Sequence, residues 1–202
     1  MRAFWYSLLC GCCVGLLSSC SPVPDASEDG SAKALVPVSC IAVLPSLTGD
    51  EEAISEVQGS EQNARRGALY ADSVLRQRFI AESRVKMVPE RLFDSLGDAI
   101  DRASEETGCN GVMVVSVYKF REREGGSMAV SEPASTSFDI RLYDAQNHHT
   151  LWVANFSETQ EPLLSNLFSF NKAHSRGFRW ITVEELMAQG LQERLSDCPY
   201  LQ

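Results

Sequence analysis

From residue 38 onward, apolar and polar positions alternate in ways that mark out successive elements. Val38 to Pro45 is a short apolar run closed by a proline, and this predicts a buried strand. Ala64, Ala68, Ala71, Leu75 and Phe79 recur at three- and four-residue steps and predict a helix over 61–81. Ser83 to Val88 reads as a second strand. Pro89 suits the first turn of a second helix, with Leu92, Leu96, Ala99, Ile100 and Ala103 as its stripe and Gly108 as its C-cap. Gly111 to Phe120 is apolar on both faces until Lys119, so it should be a central strand.

Residues 121–134 read as a connector that turns at Gly125-Gly126. Ser135 to Asp144 alternates, with Phe138, Ile140 and Leu142 on one side and Asp139 and Arg141 on the other. The turn 145–149 leads into a strand from Thr150 to Phe156, and these last strands read as an antiparallel meander. Pro162 to Phe170 is a short helical or irregular apolar segment. Thr182 and Glu185 form a capping box that opens a final helix to about Ser196. The order β-α-β-α-β-β-β-α-α predicts the α/β class. We expect a single domain over 38–202 with a mixed sheet and helices mainly on one face.

The first twenty residues follow a different rule. Arg2 is followed by an apolar stretch to Leu17, then by Leu17-Ser18-Ser19-Cys20. A positive start, a short apolar run and a small-residue exit make an export signal over 1–19, its apolar run at or below the lower limit for crossing a bilayer as a helix. Leu17 to Cys20 resembles a bacterial lipobox. That resemblance implies cleavage before Cys20 and acylation of Cys20 with the fatty chains that hold a lipoprotein on a membrane; two or more chains bind stably. The alternative is an ordinary signal peptide or an uncleaved anchor. Ser21, rather than Asp, at the second mature position favours the outer membrane, facing the periplasm, by analogy with enterobacterial sorting. Residues 20–37 then form the lipidated end and a flexible tether rich in Ser, Pro, Ala and acid.

Charge narrows the partners. Without Arg2 the mature chain carries 17 basic side chains against 27 acidic ones, a net −10. Such a body is unsuited to nucleic acid and to broad adhesion on anionic lipid. Three cysteines remain beyond Cys20, namely Cys40, Cys109 and Cys198. An exported protein can keep a disulfide. We expect Cys109–Cys198, because both sit at element ends beside polar or Gly/Pro neighbours, and we read Cys40 as a small buried thiol at the start of a strand.

The chain from Ile41-Ala42-Val43-Leu44-Pro45 through ADSVLRQRF, TGCNGVMVVSVYKF and FDIRLYDA…TLWVANF resembles the TolB amino-terminal-like fold over about 38–157. That fold occurs in exported lipoproteins of the penicillin-binding-protein-activator and curli-secretion type. Cys109-Asn110-Gly111 and His148-His149 depart from the pattern of that group. The carboxy-terminal part resembles uncharacterised lipoproteins of sulfate- and metal-reducing bacteria. These resemblances imply a fold and an envelope setting, and neither carries an assigned activity.

No nucleophile elbow or glycine-rich phosphate loop is present, so no catalytic residue and no cofactor is assigned. No metal site is assigned either: His148 and His149 read as solvated turn residues, and His174 stands apart from them. Glu122 and Glu124 could be imagined as an acid pair, but alternating signs at a strand end more often make an ion-paired edge. The segment 163–180 stands out. Phe168, Phe170, Arg176, Phe178 and Trp180 read either as a cap over the sheet or as a partner surface. The expected function is a non-catalytic, membrane-anchored lipoprotein that binds or positions a protein of the cell envelope. The alternatives are a homo-oligomeric structural or export component and, last, an envelope hydrolase.

Overall fold

A computed structural model describes residues 35–49, 60–90, 93–125, 130–160 and 180–202. The strands are β1 (Ile41–Val43), β2 (Leu47–Thr48), β3 (Val85–Met87), β4 (Gly111–Arg121), β5 (Glu124–Gly125), β6 (Val130–Glu132), β7 (Ser135–Asp144) and β8 (Thr150–Thr159). The helices are α1 (Ser60–Phe79), α2 (Leu96–Thr107) and α3 (Val183–Ser196). The main sheet runs β3-β1-β4-β7-β8, with β2 also on β4. β1 is parallel to both β3 and β4, whereas β4, β7 and β8 are antiparallel neighbours. The class is therefore α/β with a mixed sheet, and Val36–Gln202 forms one compact unit.

The pattern of side chains explains the layers. α1 buries Ala64, Ala68, Ala71, Leu75 and Phe79, and α3 buries Val183, Leu186, Met187, Leu191 and Leu195. Both helices share one core with Met113, Val115, Val117, Phe138, Ile140 and Leu142 of the sheet. α2 lies on the opposite face, where Ala99, Ile100 and Ala103 meet Ala42, Leu44, Val112 and Val114. β4 is buried on both faces because it supplies residues to both cores.

Several elements differ from the sequence expectation: β2, within the stretch 46–60 that reads as a polar loop, pairs with β4, and β8 runs on from Phe156 to Thr159. α2 begins at Leu96 rather than at Pro89, because the Ser95 hydroxyl accepts from the Asp98 N–H and caps the helix there. Within 121–134, β5 and β6 pair as a small hairpin of their own. The capping box at Thr182 and the Gly108 C-cap at φ 68° are present as expected. No helix among the described residues is long and apolar enough to cross a membrane.

Candidate functional site

The sheet gives the domain two poles. β1, β3 and β4 all start at one pole, where Val36–Cys40 joins the domain, and α1 and α2 end there. The carboxyl ends of these strands point to the other, distal pole. In open α/β sheets, ligands favour the carboxyl ends of parallel strands.

At the first pole the incoming chain is pinned. The Asn110 amide nitrogen donates to the Pro37 carbonyl at 2.9 Å, and its oxygen accepts from the Ser39 N–H at 2.7 Å and the Ser39 hydroxyl at 2.9 Å. Arg84 Nη2 donates to the Val38 carbonyl at 3.1 Å. Gly111 leaves room for this strand, since a Cβ there would lie 2.8 Å from Val38 Cγ1. Beside these contacts Cys40 is disulfide-bonded to Cys109, with their Cα atoms 4.9 Å apart. This corrects the expected Cys109–Cys198 pairing. Parallel pairing of Ile41 with Gly111 brings the residues just before β1 and β4 side by side. Cys198 is instead a buried free thiol, and burial pushes it above its ordinary pKa.

At the distal pole the acid–base run 121–124 does structural work. Glu122 Oε2 accepts from the Val183 N–H at 3.2 Å, and its other oxygen accepts from the Arg123 N–H at 2.9 Å. Arg123 Nη1 donates to the Trp180 carbonyl at 2.6 Å. A carboxylate thus sits on the positive end of α3, and a guanidinium holds the residue leading into it. Trp180 is half-buried. Phe168, Phe170, Arg176 and Phe178 lie outside the described residues, as do Cys20 and His174.

Two depressions flank the carboxyl end of β1. An apolar one of about 340 Å³ is lined by Leu44, Pro45, Leu47, Phe93, Leu96 and Ala99. On the α1 side a more polar one of about 640 Å³ meets Ser46, Thr48, Gln62, Arg65 and Asp72. Leu47 and Leu96 at their rims are 43% and 38% exposed.

The sheet face beyond α2 carries a buried charge that sequence reading missed. Asp139 is only 4% exposed. Tyr118 OH donates to its Oδ1 at 2.7 Å, and Arg141 Nη2 reaches its Oδ2 at 2.6 Å. Tyr118 follows Val112, Val114 and Ser116 on the same face of β4, and it is the extra residue of a bulge between Val117 and Lys119. Hydrogen bonding to Tyr143 and the Asp139 charge hold the Arg141 guanidinium above its ordinary pKa.

The two turn histidines diverge. His148, at φ 56°, places Nε2 2.8 Å from Asp101 Oδ1 on α2. His149 meets Asn147 and Asp144 through its backbone. No group of three His, Cys, Asp or Glu among the described residues could hold a metal ion.

No protein-family model matches the chain, and no curated protein matches it in sequence. Among solved structures it is similar to the PelC dodecamer of Paraburkholderia phytofirmans, at 16% identity over 75% of this chain and 80% of that one, with a TM-score of 0.41. It is also similar to lipoprotein GNA1162 of Neisseria meningitidis, at 16% identity over 69% and 96%, with a TM-score of 0.36. The LpoB C-terminal domain of Escherichia coli is similar at 14% identity over 62% and 86%, with a TM-score of 0.37.

Proposed function

We propose that this chain is a lipoprotein of the bacterial outer membrane, acylated at Cys20 and facing the periplasm. Its mixed α/β domain binds or positions another envelope protein and catalyses no reaction. The observation that carries this reading is Leu17-Ser18-Ser19-Cys20 at the end of a short apolar run behind Arg2. Three further features support it. The Cys40–Cys109 disulfide suits an oxidising compartment, because cytosolic thiols are kept reduced. The polar tether of 21–37 ends at a junction fixed by Asn110 and Arg84. Among the described residues, three ionisable side chains hold structure, with Asp139 engaged by Tyr118, His148 by Asp101 and Glu122 by α3.

The test has two steps. Mass spectrometry of the N-terminal peptide from membranes should find Cys20 as the acylated first residue, and Cys20→Ala should release the chain from the membrane fraction. An unmodified Cys20 in the wild-type protein sinks the reading. Photo-crosslinking in intact cells from positions 163–180 should then capture one specific envelope protein. Capture of only further copies of this chain would favour the homo-oligomeric alternative.

A further inference from the structure

The chain is acidic, yet one corner of the domain is basic. The last turn of α1 and the turn after it carry Arg76, Arg78 and Arg84 against one acid, Glu82. All three arginines are exposed, and none is paired with a carboxylate among the described residues. Arg78 lies over the Phe79 ring at 5.7 Å, and Arg84 donates to the Val38 carbonyl. Each guanidinium keeps further N–H donors for an outside partner. Between Arg78 and Arg84 stands Ile80, 87% exposed, the most exposed large apolar residue described in the domain. Nearby exposed acids Glu105 and Glu106 belong to α2, on the other face of the sheet.

This corner lies where the tether joins. The Ile41 N–H donates to the Arg84 carbonyl at 2.8 Å, so β1 leaves the tether directly beside the turn that holds Ile80. Val36, in the same stretch, is 43% exposed. Even fully extended, the 17 residues of 21–37 reach no farther than about 60 Å. A domain held that close meets its own membrane at high effective concentration, so a weak contact suffices to set its orientation.

We propose that this corner rests on anionic phospholipid, with Ile80 at the headgroup boundary and Arg76, Arg78 and Arg84 against the phosphates. The inference rests on the proposed acylation of Cys20. It refines the expectation drawn from net charge: an acidic body repels such a surface except at a basic corner, and that asymmetry selects the orientation. The distal pole, with α3's clasped start and the two depressions, then faces away from the bilayer. Each arginine near an anionic surface strengthens the contact about fivefold, so loss of two weakens it about 25-fold.

The experiment uses the full-length acylated protein in phosphatidylcholine vesicles with or without phosphatidylglycerol. A photoreactive residue replaces Ile80 or, as a control at the distal hairpin, Glu132. Labelling of lipid from position 80 should exceed that from position 132 several-fold, only with phosphatidylglycerol present. It should fall to the control level in R76Q/R78Q, whose exposed side chains leave the fold intact. Equal labelling from both positions, or labelling from position 80 indifferent to phosphatidylglycerol and to R76Q/R78Q, overturns the proposal alone. A Cys20 that carries no lipid by mass overturns the lipoprotein reading, and this inference with it.

Discussion

Cys40 and Cys109 are bonded across 69 residues of chain, and the bond ties the start of β1 to the residue two places before β4. A loop of that length has much entropy to lose in the unfolded chain, so the cross-link stabilises by about 4 kcal/mol. The double variant Cys40→Ser/Cys109→Ser should melt on the order of 10 °C lower. Reduction of the wild type should reproduce most of that shift. Native protein should resist alkylation at neutral pH, because the one free thiol described, Cys198, is buried and its pKa is raised. Unfolding without reductant should expose one mature thiol beyond the acylated Cys20, and unfolding with reductant should expose three. Three thiols without reductant would contradict the bond.

Glu122 and Thr182 serve different donors of the same helix end. Thr182 Oγ1 accepts from the Glu185 N–H at 3.1 Å, and Glu122 accepts from the Val183 N–H. Thr182→Ala should cost about 1 kcal/mol. Glu122→Ala should cost less than that, because the Glu122 side chain is 45% exposed and water screens its charge. Glu122→Gln keeps an acceptor and should cost least, and its gap to Glu122→Ala measures the hydrogen bond without the charge. Urea denaturation of the four proteins checks the order. A double variant that costs no more than Thr182→Ala alone would show that Glu122 adds no cap of its own.

The reading from sequence worked where one element's own residues decide the outcome. The stripe of α1, the alternation of β7 and the capping box of α3 are local patterns, and each predicted element forms. It failed where a partner from elsewhere in the chain decides. An apolar context around Cys40 looks the same for a thiol and a disulfide, and only the parallel register of β1 on β4 brings Cys109 to it. Asp139 alternates like a solvent-facing residue, and the Tyr118 that meets it comes from β4, 21 residues away. Pro89 is a good helix start in isolation, yet Ser95 supplies the cap that sets the boundary. The Glu122 cap on α3 spans 61 residues, so no short-range motif could announce it.

Asp139 is a buried carboxylate whose two oxygens have unequal partners. Tyr118 is half-buried and gives Oδ1 its hydrogen bond, whereas the Arg141 side chain on Oδ2 is 47% exposed. Tyr118→Phe removes the donor and leaves Asp139 Oδ1 one hydrogen bond short, so it should cost about 1–2 kcal/mol. Arg141→Gln removes the cation from a carboxylate whose side chain is only 5% exposed, a loss tempered by the half-exposed guanidinium, so it should cost about 2–3 kcal/mol. Thermal melts of the two variants should therefore show the larger loss for Arg141→Gln. A larger loss for Tyr118→Phe would mean that the tyrosine, and not the ion pair, secures Asp139.

Two helix glycines should respond to the same substitution with opposite signs. Alanine is the better helix former by about 1 kcal/mol in a helix interior. A Cβ at Gly97 on α2 would meet nothing nearer than the His148 ring at 3.5 Å, ordinary contact. Gly97→Ala should therefore stabilise by a few tenths to about 1 kcal/mol. A Cβ at Gly190 on α3 would lie 2.8 Å from three atoms of the Phe156 ring. That ring is stacked on Phe138 with centroids 5.1 Å apart, so it has little room to withdraw. Overpacking of a filled core costs about 1–3 kcal/mol, which exceeds the propensity gain. Gly190→Ala should lower stability by about 1–2 kcal/mol, and adding Phe156→Leu should recover part of that loss by removing the obstructing ring edge. The glycine thus sets how closely α3 approaches β8. Equal stabilisation of both alanine variants in chemical denaturation would show that α3 sits farther from the sheet than this packing requires.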